Sequence, residues 1–149
     1  MRPVRRVVVC TLALAALALP APAKGHHATD LMIGKVNQVR ARHGLPPLRS
    51  SPSLKRSSRR FSRFLMARDV FGHRSRVSAS RRFRRLGEAL AFHGGHRLGV
   101  SGTVRRWLRS PTHRAIVLTR TRNLVGAGCT RGRFGGGRAT IWVLQVGRL

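Results

Sequence analysis

The eight residues Trp107-Leu108-Arg109-Ser110-Pro111-Thr112-His113-Arg114 place a helix end beside a helix start. Val104, Trp107 and Leu108 form an apolar stripe at helical spacing, and Pro111 cannot continue that helix. Proline does suit the first position of a new helix, and Ser110 before it can act as the N-cap. The segment therefore predicts two helices with a sharp break between them, the second running through Leu118. The same signal recurs at Ser51-Pro52, followed by Leu54, Ser58, Phe61 and Leu65 along one helical face. Earlier still, Thr29 and Asp30 can cap a helix carrying Leu31, Met32, Val36 and Val39, which ends at Gly44 before Pro46-Pro47. Downstream, Leu124 to Thr130 and Ala139 to Val146 read as strands joined by a glycine-rich hairpin loop, Arg131 to Gly137. In the last strand Ile141 and Val143 face one way, while Trp142, Leu144 and Val146 face the other. A strand apolar on both faces must be covered on both, so the expected class is α+β, with helices sandwiching a small antiparallel sheet. Phe71 to Phe83 is polar, arginine-rich and aperiodic. Together with Gly87-Glu88 and Ala89 to Phe92 it reads as loop with a helical turn.

The N-terminus has a different character. Arg2, Arg5 and Arg6 precede an apolar run from Val7 to Leu19, then Pro20 and the small residues Ala21-Pro22-Ala23. This is the layout of a secretory signal peptide. The run is too short for a membrane helix, which needs about 20 apolar residues. The expectation is export, with cleavage after Ala23, a flexible mature start over 24–29 and a single domain over 30–149. Cys10 leaves with the leader, so Cys129 is left without an intrachain partner and the core must be held by packing. Cys129 reads as a small buried strand residue, with a reactive or intermolecular thiol as the alternative.

Lys and Arg number 31 against three acids, Asp30, Asp69 and Glu88, for a formal net charge of +28. Such a field concentrates polyanions, whether nucleic acid, anionic lipid or acidic envelope polymer, and charge alone does not choose among them. Because all the bases except Lys24, Lys35 and Lys55 are arginine, a codon bias toward arginine is the competing account. Export argues against a genomic role. The few aromatic residues sit largely at core-like positions, so no stacking platform for nucleic acid is evident.

Three short motifs remain: Phe71-Gly72-His73, Gly87-Glu88, and the Trp107 to Arg114 segment. With them stand Asn37, Arg40, His43 to Leu48, and Val125-Gly126-Ala127-Gly128. In this order they resemble the CAP superfamily, the secreted domains named after cysteine-rich secretory proteins, antigen 5 and pathogenesis-related proteins. The resemblance is closest to a disulfide-free bacterial branch with a Trp-x-x-Ser-Pro-x-His-Arg segment. It implies a three-layer α-β-α sandwich with an open cleft lined by two histidines and acidic side chains. His73, Glu88 and His113 match three of those cleft positions. Ser110 stands where the family carries a further glutamate, and this departure weakens any mechanism that needs two carboxylates. The resemblance implies an extracellular, non-enzymatic module for a small ligand, lipid or glycan; the residues add a divalent metal as a candidate ligand, and the charge adds a cationic surface docking on anionic cell-envelope polymers or lipids. The alternative is an extracellular peptidase or cell-wall hydrolase, with Glu88 or a metal-bound water as base and His113 positioning or donating a proton. No nucleophile elbow is present.

The residues themselves carry compatible chemistry. Glu88 is a lone glutamate in a strongly basic chain and stays ionised. Two imidazoles and a carboxylate can supply three ligands to zinc and leave a position open. His113 in the first turn of a helix is biased toward the neutral form that binds metal. The other reading is that His73, Glu88 and His113 form a hydrogen-bonded network without metal. His93 and His96 around Gly94-Gly95 read as exposed loop histidines, with a metal site as the alternative. A mature start at Lys24-Gly25-His26 would offer an amine, backbone amides and an imidazole to copper(II) or nickel(II), and a frayed terminus competes with it.

Overall fold

The computed structural model describes residues 24–73, 77, 82–97 and 99–149, with the backbone alone at 24–26. The expected leader, its Cys10 and the cleavage point after Ala23 lie outside the described residues. Four helices and four strands follow in the order α1 (Lys24–Arg42), β1 (Arg49–Ser50), α2 (Pro52–Ala67), β2 (Arg85–Gly94), α3 (Val100–Arg109), α4 (Pro111–Val117), β3 (Leu124–Phe134) and β4 (Gly137–Arg148).

Both Ser-Pro signals open helices. At α2 the Ser51 hydroxyl accepts the Leu54 amide and caps the first turn. At α4 Ser110 occupies the N-cap position but its side chain makes no cap bond, contrary to the sequence expectation. Helix α1 starts earlier than Thr29-Asp30 suggests and takes in the stretch 24–29, read from sequence as flexible. The cause is burial: Ala28 and Thr29 are each 3% exposed, so Thr29 packs in the helix body instead of capping it.

The sheet runs β1-β3-β4-β2. Its three long strands β3, β4 and β2 run antiparallel as expected, and β1 makes the sheet mixed. β1 lies parallel to β3, with Arg49 opposite Leu124 and Ser50 opposite Val125. Two residues are too few to carry a periodic signal. The larger correction is β2, read from sequence as loop, which pairs antiparallel with β4 along ten residues from Arg85 to Gly94. Its composition hides it, because Gly87, Ala89 and Ala91 alternate on one face where β-branched residues would mark a strand. That face needs small side chains because Ala89 and Ala91 share a core with Trp107 and Trp142.

The two faces of β4 divide as their alternation predicts. Trp142, Leu144 and Val146 join Met32, Val36, Val104, Trp107 and Val117 from α1, α3 and α4. Ile141 and Val143 pack with Phe61 and Leu65 of α2 and with Leu90. The result is a three-layer α-β-α sandwich. Asn37 and Arg40 serve this frame. Asn37 exchanges two hydrogen bonds with the Leu48 backbone, at 3.0 and 2.9 Å. Arg40, 1% exposed, donates to the carbonyls of Pro46, Val117 and Thr119. Among the described residues Cys129 is free, on β3, and burial raises its thiol pKa to about 11 against a partial opposing effect of Arg131. That favours the packing role over a reactive thiol.

Helix α2 lies close to β3 because Gly126 and Gly128 have no side chain. A Cβ on Gly126 would overlap the backbone of Leu54 and Lys55, and one on Gly128 would overlap that of Ser58 and Arg59. The contact is polar as well as close: Ser58 Oγ donates to the Gly126 carbonyl at 3.2 Å, and Ser62 Oγ meets Thr130 Oγ1 at 2.8 Å. Gly128→Ala is expected to cost about 3 kcal/mol, the upper end for overpacking, because a backbone must move. In urea melts the midpoint should fall with an unchanged slope. A loss well under 1 kcal/mol would show that the helix is not seated through this contact.

Candidate ligand-binding cleft

Helix α2 packs mainly over β3 and β4, and β2 is the outer strand. The β2 side chains on the α2 side are Glu88, Leu90 and Phe92. Leu90 is buried under α2 against Phe61 and Leu65, Glu88 is buried as well, and Phe92 is half-buried. On the opposite side of the strand, α3 holds two of its carbonyls: Trp107 Nε1 donates to Leu90 at 2.8 Å and Arg106 to Phe92 at 3.1 Å. The strand bearing Glu88 is thus fixed by β4 on one edge and by side chains of α3 as well.

The Glu88 side chain is 5% exposed and both of its oxygens are engaged. Oε1 meets His73 Nδ1 at 3.0 Å, and Oε2 accepts from Gln145 Nε2 at 2.8 Å. Gln145 lies directly across the ladder on β4 and is fully buried, its Oε1 without a hydrogen-bond partner among the described residues. His73 is about half exposed, so the pair runs from the interior to the surface. His113 enters from the first turn of α4, its ring centroid 6.3 Å from that of His73 at an angle of 44°. Burial, and then the neighbouring His73, lower the pKa of His113. The sequence argument reached the same direction through the helix end; in the folded chain desolvation leads.

Ser110 is partly exposed at the α3–α4 break, three residues before His113. His93 is not an exposed loop residue: it ends β2, half-buried, with Nε2 2.6 Å from Thr103 Oγ1 on α3. Burial and then Arg106 lower its pKa. His96 is exposed, with Nε2 against the Gly132 carbonyl at 3.2 Å. The two histidines therefore face different partners. The side chains of Lys24, Gly25 and His26 lie outside the described residues.

For a metal, the donor types at His73, Glu88 and His113 suit zinc. Their placement is that of a direct hydrogen bond with a second imidazole nearby. Among the described residues no group of three or more His, Cys, Asp or Glu is arranged to hold an ion.

Beyond Leu90 the same strip of β2 opens into a groove of about 410 Å³ lined by Phe71, Leu90, Phe92, Phe134 and Arg106. Phe71 meets Phe92 edge-on with centroids 5.9 Å apart, and Phe92 lies 5.1 Å from Phe134. Phe71 is two residues before His73, and Phe92 is four after Glu88 on the same strand face. The same two chain segments thus carry the Glu88–His73 pair and part of the lining of the apolar groove. Sequence reading missed Gln145, Phe92 and Phe134. The alternation of Glu88, Leu90 and Phe92 was the available signal, hidden because the segment read as loop.

Gln145→Leu should destabilise the protein by about 1–3 kcal/mol, since it strips a donor from a buried carboxylate while nearly conserving volume. Urea melts matching wild type would mean that Gln145 does not support Glu88. A second expectation concerns pH. A histidine whose folded pKa lies below the ordinary 6.5 gives stability that is present above that value and lost as pH falls through the lowered folded value. The thermal midpoint should therefore drop on going from pH 7.5 to pH 5, and His113→Gln should flatten that dependence. Superimposable pH profiles for the two proteins would overturn this assignment.

The comparisons with known proteins follow the same outline. The chain matches the CAP family, described as the cysteine-rich secretory protein family, over residues 33–146. No curated protein is similar enough to match. Among solved structures, an outer surface protein of Borrelia burgdorferi aligns with TM-score 0.66 and 18% identity, covering 82% of this chain and 92% of that one. An extracellular protein containing an SCP domain from Bacillus anthracis aligns with TM-score 0.65 and 21% identity, covering 84% of this chain and 41% of that one. Venom allergen-like protein 4 of Schistosoma mansoni gives TM-score 0.59 and 13% identity, covering 82% and 90%. At such identities the structural likeness speaks for fold alone, and the family match supplies the rest. A mixed sheet between α2 and the α1, α3 and α4 layer, a cleft cluster drawn from β2 and α4, and a family match over most of its length together show that the chain belongs to the CAP superfamily, the cysteine-rich secretory protein family, holding the fold with Cys129 free.

Proposed function

We propose that the chain is an exported, non-enzymatic binding module whose cleft takes a small amphiphile. The apolar part would lie among Phe71, Phe92 and Phe134, and the polar end would meet His73 and His113. The observation carrying this reading is the aromatic groove itself, whose Phe71 stands two residues before His73 and whose Phe92 shares a face of β2 with Glu88. A few polar groups at one end of an apolar concavity are the usual composition of a small-molecule site. Export is supported by the leader-like N-terminus and by the family. Among the described residues no helix is long and apolar enough to cross a membrane.

In this reading Glu88 is a positioning group. Its oxygens hold His73 and Gln145, which leaves it poorly placed to activate water, and Ser110 supplies no second carboxylate. A divalent metal such as zinc is the second reading, favoured by the lowered pKa of His113, which keeps an imidazole lone pair available near neutral pH. His73, Glu88 and His113 would be its ligands, and the metal would then supply the polar anchor for the same ligand.

The test is calorimetric titration with a medium-chain fatty acid and, separately, with zinc chloride. Saturable binding of the fatty acid is expected, weakened about tenfold by Phe92→Ala, which corresponds to roughly 1.4 kcal/mol for the loss of one ring. Absence of saturable binding, or equal affinity in the Phe92 variant, would refute the amphiphile reading. Zinc heat abolished by His113→Gln would establish the metal reading. Peptidase or cell-wall hydrolase activity that persists through purification and vanishes in Glu88→Gln would overturn the non-enzymatic one.

A further inference from the structure

Arg56, Arg59, Arg60 and Arg63 follow the i, i+3, i+4, i+7 pattern and therefore form one stripe along α2. Arg56, Arg60 and Arg63 are exposed and Arg59 is half-buried, and together they line an open slot of about 320 Å³. Neighbouring like charges at these spacings weaken a helix, and no acid occurs anywhere in Pro52–Ala67 to offset them. Each of the chain's three acidic side chains has another partner, that of Asp30 being a lysine beside the stripe on the same helix. Asp30 pairs with Lys55, Asp69 accepts the Gly135 amide, and Glu88 holds His73 and Gln145.

We propose that this stripe docks a linear polyanion bearing a phosphate on each repeat, an envelope polymer in an exported protein's surroundings. The inference stands independently of the ligand in the cleft. Three features select the occupant. The guanidinium fork grips phosphate oxygens two at a time, which a point charge does not. From Arg56 to Arg63 the stripe advances about 10.5 Å at 1.5 Å per residue, the shape of a track for an extended chain rather than a seat for one ion. The helix is also held rigidly, its backbone resting against Gly126 and Gly128. A bilayer suits it less: an interfacial helix lays its apolar face into lipid, whereas Leu54, Phe61 and Leu65 of α2 are buried in the core.

The experiment is calorimetric titration of the purified protein with inorganic polyphosphate of defined length across a salt series, and with phosphatidylglycerol vesicles in parallel. Each neutralised phosphate contributes about 0.7–0.9 to the slope of log affinity against log salt, so changing all four arginines to Gln should make the slope shallower by about 3. A charge-matched variant, with Arg97, Arg105, Arg120 and Arg138 changed to Gln, should shift the slope by less than 1. Changing the four α2 arginines to Lys keeps the charge and should keep the slope while weakening binding, and thermal melts check that each variant is folded. Equal losses in the two Gln variants would reduce the effect to net charge and overturn the proposal. So would binding to vesicles, but not to polyphosphate, that depends on the four α2 arginines.

Discussion

The seating of α2 on β3 sets the geometry of everything around it. Gly126 and Gly128 bring the helix backbone against the strand backbone, closer than any side chain would permit. Ser58 and Ser62 then turn what could be a bare van der Waals contact into a polar one. A helix seated that low over β3 and β4 leaves the outer strand β2 only partly covered. On the α2 side of β2, Glu88 and Leu90 are buried, and Phe92 is half-buried beside the aromatic groove. Gly126 and Gly128, within a segment that already reads as a strand, are what permit this helix placement.

The opposite layer is fixed by different means. Arg40 carries its guanidinium into the interior and satisfies it with three backbone carbonyls. One of these closes the loop after α1 and two close the end of α4, so a single buried cation joins the start of the domain to the helix that carries His113. Burial lowers the Arg40 pKa without a carboxylate to oppose it. Carbonyl oxygens are a sufficient environment because they offer directed lone pairs to a delocalised charge. With one free cysteine and no disulfide among the described residues, such polar ties do the cross-linking that packing alone leaves to chance.

How far the fold could be read from residues follows from what each element writes into its sequence. Ser-Pro pairs are local signals, and both begin helices as read. The two-sided apolar character of β4 is likewise local, and its two faces divide between the two cores as alternation predicts. β2 escaped because its core-facing positions are Gly87, Ala89 and Ala91, the alanines sharing a core with Trp107 and Trp142 and the glycine lying against Arg122 and Val146, all 16 or more residues away in the chain. No window centred on β2 contains that information. β1 escaped because two residues carry no period. For the cleft, His73, Glu88 and His113 were reached through a resemblance, whereas Gln145 could be found only through the β2–β4 register. A buried glutamine in an apolar strand has no meaning until the residue opposite it is known.

The scarcity of acids shapes the surroundings of Glu88. In a chain of formal charge +28, a carboxylate meets arginine on almost any surface. Asp30 does meet a cation there, and Glu88 is withheld: it is buried, and its partners are an amide and an imidazole, with no guanidinium among the contacts described. An arginine partner would neutralise the glutamate permanently and block the site with a long side chain. A histidine partner instead leaves a half-exposed ring at the surface. The second imidazole, His113, is pushed toward neutrality by burial and by that same ring. Two rings with centroids 6.3 Å apart, one of them hydrogen-bonded to a buried carboxylate, stand here within an otherwise cationic surface. That contrast, more than any single contact, distinguishes this hollow from the rest of the molecule.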